Sequence, residues 1–288
     1  MGEQKNLFLA IGLSVAIIII FQLLVPQQSV MTPQPKEETI LRDSSTSIDQ
    51  EQQITQSITK TKEEIISIDK RISIHTPTLQ GSINLKGAIL DDLVLLKYKE
   101  TLDDNSKNIN LFLPEQTANP YYIELGWKFF SNDSSNIKLP DHNTEWNASS
   151  DTLTPKSPIT LYWTNKDNIT FKIHFKVDEQ YLFQITQEIE NNSTKTIEVF
   201  PYRLIKRINL PDTINFFILH EGLISLLNDE LLEKKYKHLS ADCSTAQQTK
   251  SIFCDQKATG GWLGFTDKYW MAALIPDQNE PINVNYRH

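Results

Sequence analysis

The sequence predicts an all-β sandwich, and two patterns carry the prediction: strict alternation of apolar and polar residues, and polar turn clusters that recur along the chain. The clearest alternation sets Ile169, Phe171, Ile173, Phe175 and Val177 against Thr170, Lys172, His174, Lys176 and Asp178. A period of two places one set on each face of a strand, so one face is apolar and the other wet. Asp178-Glu179-Gln180 interrupts the pattern, and Tyr181, Phe183, Ile185 and Ile189 resume it. Asn191-Asn192-Ser193 makes a second turn before Ile197 and Val199, which reads as a three-stranded antiparallel meander. Ile83, Leu85 and Ile89 open the region in the same way. Further breaks at Asp103-Asp104-Asn105-Ser106, Asn132-Asp133-Ser134-Ser135 and Asn165-Lys166-Asp167-Asn168 suit many short strands better than alternating β and α units. Leu223, Ile224, Leu226, Leu227, Leu231 and Leu232 fit either a helical stripe or, with Asn228-Asp229 as the turn, a hairpin.

Residues before this region differ sharply. Leu7–Val25 is an apolar run of 19 residues broken only by uncharged Ser14 and Gln22. As a helix it would rise about 28 Å, close to the hydrocarbon thickness of a bilayer. The run exceeds a signal-peptide core, and Val25-Pro26-Gln27-Gln28-Ser29 offers no small-x-small cleavage site, so residues 1–25 read as an uncleaved signal anchor. Lys5 precedes the run and the next basic residue is Lys36, which biases the N-terminus to the inside. Residues 26–70 are rich in Gln, Ser, Thr, Glu and Lys and lack aromatic residues. Such a composition buries too little apolar surface to offset ordering entropy, so it reads as a flexible tether with a transient helix near Lys60–Ile68. A coil of this length spans on the order of 35–40 Å. Residues 71–288 form the β-domain.

Charge and motif content exclude several classes of function. Thirty-six acidic against 28 basic residues give a net charge of −8 and no attraction for nucleic acid. Lys234-Lys235-Tyr236-Lys237-His238 is short and follows Glu230 and Glu233, as on a solvated strand edge. The six histidines are scattered; His220-Glu221 begins a zinc-protease motif, but Ile224 stands where its second ligand belongs. No glycine-rich phosphate loop and no G-x-S-x-G elbow occur. Cys243 and Cys254, with ten residues between them, allow either a disulfide or two thiols, and with His238 match no zinc pattern. No catalytic, cofactor or metal residue is therefore assigned, and the chain is not expected to be an enzyme.

The segment from Gly260 to Pro276, GGWLGFTDKYWMAALIP, joins glycines to Trp262, Phe265, Tyr269 and Trp270. It reads as a tight turn followed by a heavily buried strand, with an aromatic ligand platform as the alternative. It strongly resembles the corresponding segment of YidC-type membrane protein insertases of alphaproteobacteria. Thr76–Tyr98 (TPTLQGSINLKGAILDDLVLLKY), Asn119–Trp127 (NPYYIELGW), His220-Glu221-Gly222 before Tyr236-Lys237, and Lys5-Asn6-Leu7 leading into the apolar run agree in order. The resemblance implies a large periplasmic β-supersandwich similar to galactose-mutarotase folds, a strand-turn-strand at Leu223–Tyr236, and an N-inside first helix in the bacterial inner membrane. It also implies partners: nascent membrane proteins and the Sec translocon, beside the lipid bilayer through Leu7 to Val25. Insertion in that family belongs to a later helical bundle that this chain does not contain, and its sandwich continues beyond the point where this one stops. The competing reading is a membrane-tethered, mutarotase-like carbohydrate-binding domain, which needs a pocket built from a histidine and a carboxylate, first among them His174, His220 and Glu221.

Overall fold

A computed structural model describes residues 61–130, 137–210, 220–236, 238–239, 255–267 and 269–287. The expected membrane anchor, most of the tether and both cysteines lie outside these residues. Among the described residues no helix is long and apolar enough to cross a membrane.

The described chain opens with one helical turn and a half, α1 (Lys62–Ile66). Thr61 caps it: its hydroxyl accepts from the Glu64 amide while the Glu64 carboxylate accepts from the Thr61 amide. The turn lies in residues assigned from sequence to the tether. It is short of the length at which a helix holds alone in water, but Ile65 is buried and Lys62 reaches the sheet.

Among the described residues the elements that follow are strands, apart from helical Tyr236, His238 and Leu239. β1 (Arg71–His75), β2 (Leu79–Asn84), β3 (Ile89–Lys99), β4 (Asn108–Phe112), β5 (Tyr121–Phe129), β7 (Thr152–Leu153) and β11 (Val199–Arg207) form a seven-stranded sheet. Its order is β11-β5-β3-β2-β1-β7, with β4 paired to β3. Facing it, β6 (Asn147–Ala148), β8 (Ile159–Thr164), β9 (Ile169–Val177) and β10 (Phe183–Asn191) form a four-stranded sheet in the order β10-β9-β8-β6. A third sheet, β13-β12-β15-β16, is built from β12 (Gly222–Leu227), β13 (Glu230–Lys235), β15 (Trp262–Thr266) and β16 (Met271–Leu274). β14 (Asp255–Thr259) pairs only with β17 (Pro281–Asn285).

The first two sheets close over the main core. On β9, Ile169, Phe171, Ile173 and Phe175 are fully buried, as the alternation requires. They meet Ile72, Ile74, Ile83 and Leu90 of the opposite sheet in one cluster. Trp127 packs edge-on to Phe171 at 5.1 Å and stacks on Trp146 at 6.2 Å. Removing a side chain such as Phe171 from water is worth about 1.5–3 kcal/mol, so this wall supplies much of the driving force. A smaller cluster of Leu223, Leu227, Ala258, Val284 and Tyr286 lies under the third sheet.

Two expectations change. The meander stops at two strands: β9 and β10 pair in register from Phe183↔Val177 to Asn191↔Ile169, but β11 pairs with β5 in the opposite sheet. β10 instead ends its sheet, and Gln187 donates to the Gly126 carbonyl of β5 at 2.8 Å, bridging the two layers at that edge. The segment after the double glycine is half-buried, since only Gly264 of β15 is buried and Trp262 stays partly exposed. The tight turn itself is present, with φ of 64° and 83° at Gly260 and Gly261. The ambiguous leucine-rich stretch is a hairpin: β12 and β13 pair through Asn228 and Asp229, both left-handed at φ 52° and 64°, as a two-residue type I′ turn requires.

Candidate functional site

The histidines and the acid first inspected for a sugar-binding pocket fall at two separate places. His174 stands on the outer face of β9, its Nδ1 2.9 Å from the Thr160 hydroxyl and its Nε2 3.0 Å from Glu188. Lys172 links Glu188 and Glu190 beside it; hydrogen bonds from His174 and Lys172 lower the Glu188 carboxyl, and hydrogen bonds from Lys172 and Asn192 lower that of Glu190. His220 precedes β12 in a different sheet, where its Nε2 lies 2.8 Å from the Leu223 carbonyl. Glu221 is buried next to it. An open cavity of about 430 Å³ between β14, β17 and Asn228 is lined by Asn228, Lys257, Ala258, Thr259, Pro281, Ile282 and Asn283, none of them a histidine or an acid. Among the described residues no three His, Cys, Asp or Glu side chains gather as metal ligands would.

Two polar knots serve architecture. In the first, Arg71 pairs with Asp91 and donates to the Ser82 hydroxyl at 2.7 Å, and Ser82 donates to Asp92 at 2.6 Å. Lys62 of α1 completes it, 2.6 Å from Asp92 and 2.8 Å from Asn110. Burial holds the Asp91 carboxyl above its ordinary value, although Arg71 pulls the other way. In the second, Arg207 of β11 reaches Asp267 at 2.6 Å and the Tyr236 hydroxyl at 3.2 Å, with its guanidinium 4.5 Å from the centre of the Tyr121 ring. That knot joins β5 and β11 of the large sheet to both ends of the third. Burial raises the Tyr121 and Tyr236 phenols well above their ordinary value. Neither arginine was singled out from sequence, because each faces partners far away along the chain.

The third feature is an aromatic corner. Tyr98 at the end of β3 meets Trp270 edge-on at 4.7 Å, Tyr181 lies 6.4 Å from Tyr98, and Tyr269 lies 6.3 Å from Trp270. The rings come from one strand end and two connections yet form one surface. Trp270 is half-buried against the main core, whereas Tyr98, Tyr181 and Tyr269 are exposed. The sequence reading placed Tyr269 and Trp270 in an aromatic segment; only the fold shows that Tyr98 and Tyr181 join them.

The paired sheets closed over a common core define an all-β sandwich module. The model of one such family, the YidC periplasmic domain, matches residues 71–288. The chain belongs to that family. It is 37% identical to the membrane protein insertase YidC of Granulibacter bethesdensis over 289 residues, covering 99% of this chain and 48% of the relative. The insertases of Nitrobacter hamburgensis and Methylorubrum extorquens are 41% and 40% identical over 222 and 221 residues, or 77% and 76% of this chain and 35% of each relative. The chain thus spans about half the length or less of the curated relatives it matches.

Proposed function

We propose that this chain supplies the membrane anchor and the periplasmic domain of a membrane protein insertase of the bacterial inner membrane. The observation that carries the reading is the match to the Granulibacter bethesdensis insertase. It covers 99% of the chain, and so includes the 19-residue apolar run Leu7–Val25 as well as the β-domain. On this reading residues 1–25 cross the bilayer with the N-terminus in the cytoplasm, residues 26–70 tether the domain, and residues 71–288 work by contact with nascent membrane proteins and the Sec translocon. No residue of the domain is given a catalytic role. The carbohydrate-binding alternative gains no support: His174 pairs with Glu188 on a solvated strand face, His220 and Glu221 precede β12, and the cavity beside β14 and β17 is lined by none of them.

A graft tests the proposal. This chain replaces the corresponding half of the Granulibacter bethesdensis insertase, and the chimera is expressed in cells depleted of their own insertase. Growth should be restored, and protease added to spheroplasts should digest the β-domain while carbonate leaves the protein in the membrane pellet. A chimera that reaches the membrane yet restores no growth, or a chain recovered in the soluble cytosol, overturns it.

A further inference from the structure

We propose that the aromatic corner is a second membrane contact, with Tyr98, Tyr181, Tyr269 and Trp270 seated in the headgroup layer of the bilayer that holds the N-terminal segment. The inference rests on the anchor reading above and adds to it a surface of the domain itself.

Three of the four rings are exposed, Tyr98 and Tyr181 at 43% and Tyr269 at 69%. Tyr98 ends β3, and the connection that follows carries Leu102 wholly exposed. Tyr181 and the 58%-exposed Leu182 sit on the β9–β10 turn. That turn is fixed: Asp178 accepts from the amides of Gln180 at 2.8 Å and Leu182 at 3.0 Å, and the buried Thr78 hydroxyl donates to the Glu179 carbonyl at 3.1 Å. The β15–β16 turn, closed by Asp267 N–H donating to the Trp270 carbonyl at 2.8 Å, supplies Tyr269 and Trp270. Large apolar groups on two fastened turns and a strand end cost solubility unless something meets them.

The chemistry selects a lipid interface. Tyrosine and tryptophan combine an apolar ring with one polar atom, which suits the boundary between headgroups and acyl chains. Exposed leucines flanking them would reach slightly deeper. The charge along the chain around the rings is slightly acidic: Lys97 and Lys99 at the end of β3, with Lys107 and Lys268, stand against Glu100, Asp103, Asp104, Asp178, Glu179 and Asp267. Attraction to anionic lipid therefore contributes little, and contact depends on the rings. The rings lie at turns and a strand end, beside the edge strands β10 and β16 rather than along them, so what they offer is ring surface and not a main-chain ladder. Chain length favours the same occupant. Thirty-five residues, 26–60, separate the apolar run from the first described residue. A coil of that length averages roughly 30–35 Å end to end, which keeps a bilayer within constant reach of the domain.

The full chain offers a direct test, because its five tryptophans all lie beyond residue 100 and none is in the apolar run. It is reconstituted in vesicles of phosphatidylethanolamine and phosphatidylglycerol whose acyl chains carry bromine near the headgroup or near the chain end. Shallow bromine should quench the tryptophan emission by at most about one fifth, the share of one tryptophan in five. Trp270→Phe should abolish that quenching, and Tyr98→Ser with Tyr181→Ser should weaken it in a domain whose circular dichroism is unchanged. High salt and a changed phosphatidylglycerol fraction should leave it unaltered. Emission that is indifferent to bromine, or quenching that survives Trp270→Phe, overturns the proposal. Carbonate extraction of the same vesicles separates the two claims. A retained but unquenched chain sinks the corner alone, and a released chain sinks the anchor and the corner with it.

Discussion

Strand β9 and the β12–β13 hairpin are both rich in aliphatic residues, but they bury them differently. On β9 the five apolar positions all point inward and every alternate position is polar. On β12 the inward positions are Leu223, Ser225 and Leu227, while Ile224 and Leu226 lie half-exposed on the other face. A fully buried serine, accepting from the Tyr286 hydroxyl at 2.8 Å, occupies a place where alternation would put a hydrophobe. The difference teaches that period reports burial only where one face of a strand is wet. β9 has such a face, and β12 is covered in part on both.

The comparison predicts its own largest effect. Phe171→Ala should cost about 3–5 kcal/mol, because a fully buried ring in a tight core leaves a cavity. Leu231→Ala, on the outer face of β13 and 59% exposed, should stay within about 0.5 kcal/mol. Urea midpoints measure both. Equal losses would mean that the hairpin carries core load that its exposure does not show.

The two kinds of charge cluster sharpen the contrast. Arg71 is buried with Asp91, so Arg71→Ala strands an acid away from water and should cost about 3 kcal/mol. Lys172, between Glu188 and Glu190, is solvated, and Lys172→Ala should leave the urea midpoint unmoved. A smaller gain is expected at the hairpin turn. Asp229 holds φ 64°, a region glycine adopts without strain, so Asp229→Gly should stabilise the protein by about 0.5–1 kcal/mol, read as a rise in Tm.

These residues also mark what could be read before the structure. β9, β10 and the turns between them were legible because each strand has a wet face and each turn has its own polar cluster. The fate of β11 was not, because pairing with β10 or with β5 satisfies the same alternation, and the choice is made by layers that meet only in three dimensions. The hairpin at Asn228-Asp229 stayed ambiguous until the family resemblance chose it, for the reason Ser225 shows. Trp262 and Trp270 looked like core from composition alone. Tyr181 read as the start of the second strand but lies in the turn before β10, and Tyr98, Arg71 and Arg207 gave no signal, since an exposed ring cluster and a buried ion pair both depend on residues tens to hundreds of positions apart.

The smallest expected effect lies on the acid limb of stability, where buried and exposed acids pull in opposite directions. Burial pushes Glu115 up, but hydrogen bonds from Lys206 and Tyr122 outweigh it and hold the carboxyl below its ordinary 4.5. A depressed carboxyl contributes stability that is fully present above pH 4.5 and is lost as pH falls through the lower folded value. Asp91 has the opposite sign: raised above 3.8, it favours the folded state at low pH and gives up that stability as pH rises through its folded value. Glu115→Gln should therefore flatten the fall in urea midpoint below pH 4.5 at low salt, with little change near neutrality beyond the lost ion pair. The effect is small because the Glu115 side chain is 41% exposed and its Lys206 partner 46% exposed, so water and salt screen the pair. It should vanish in high salt. An acid limb that keeps its slope in the variant would mean that the other lowered carboxyls, Asp141, Glu188 and Glu190, rather than Glu115, govern how the domain responds to acid.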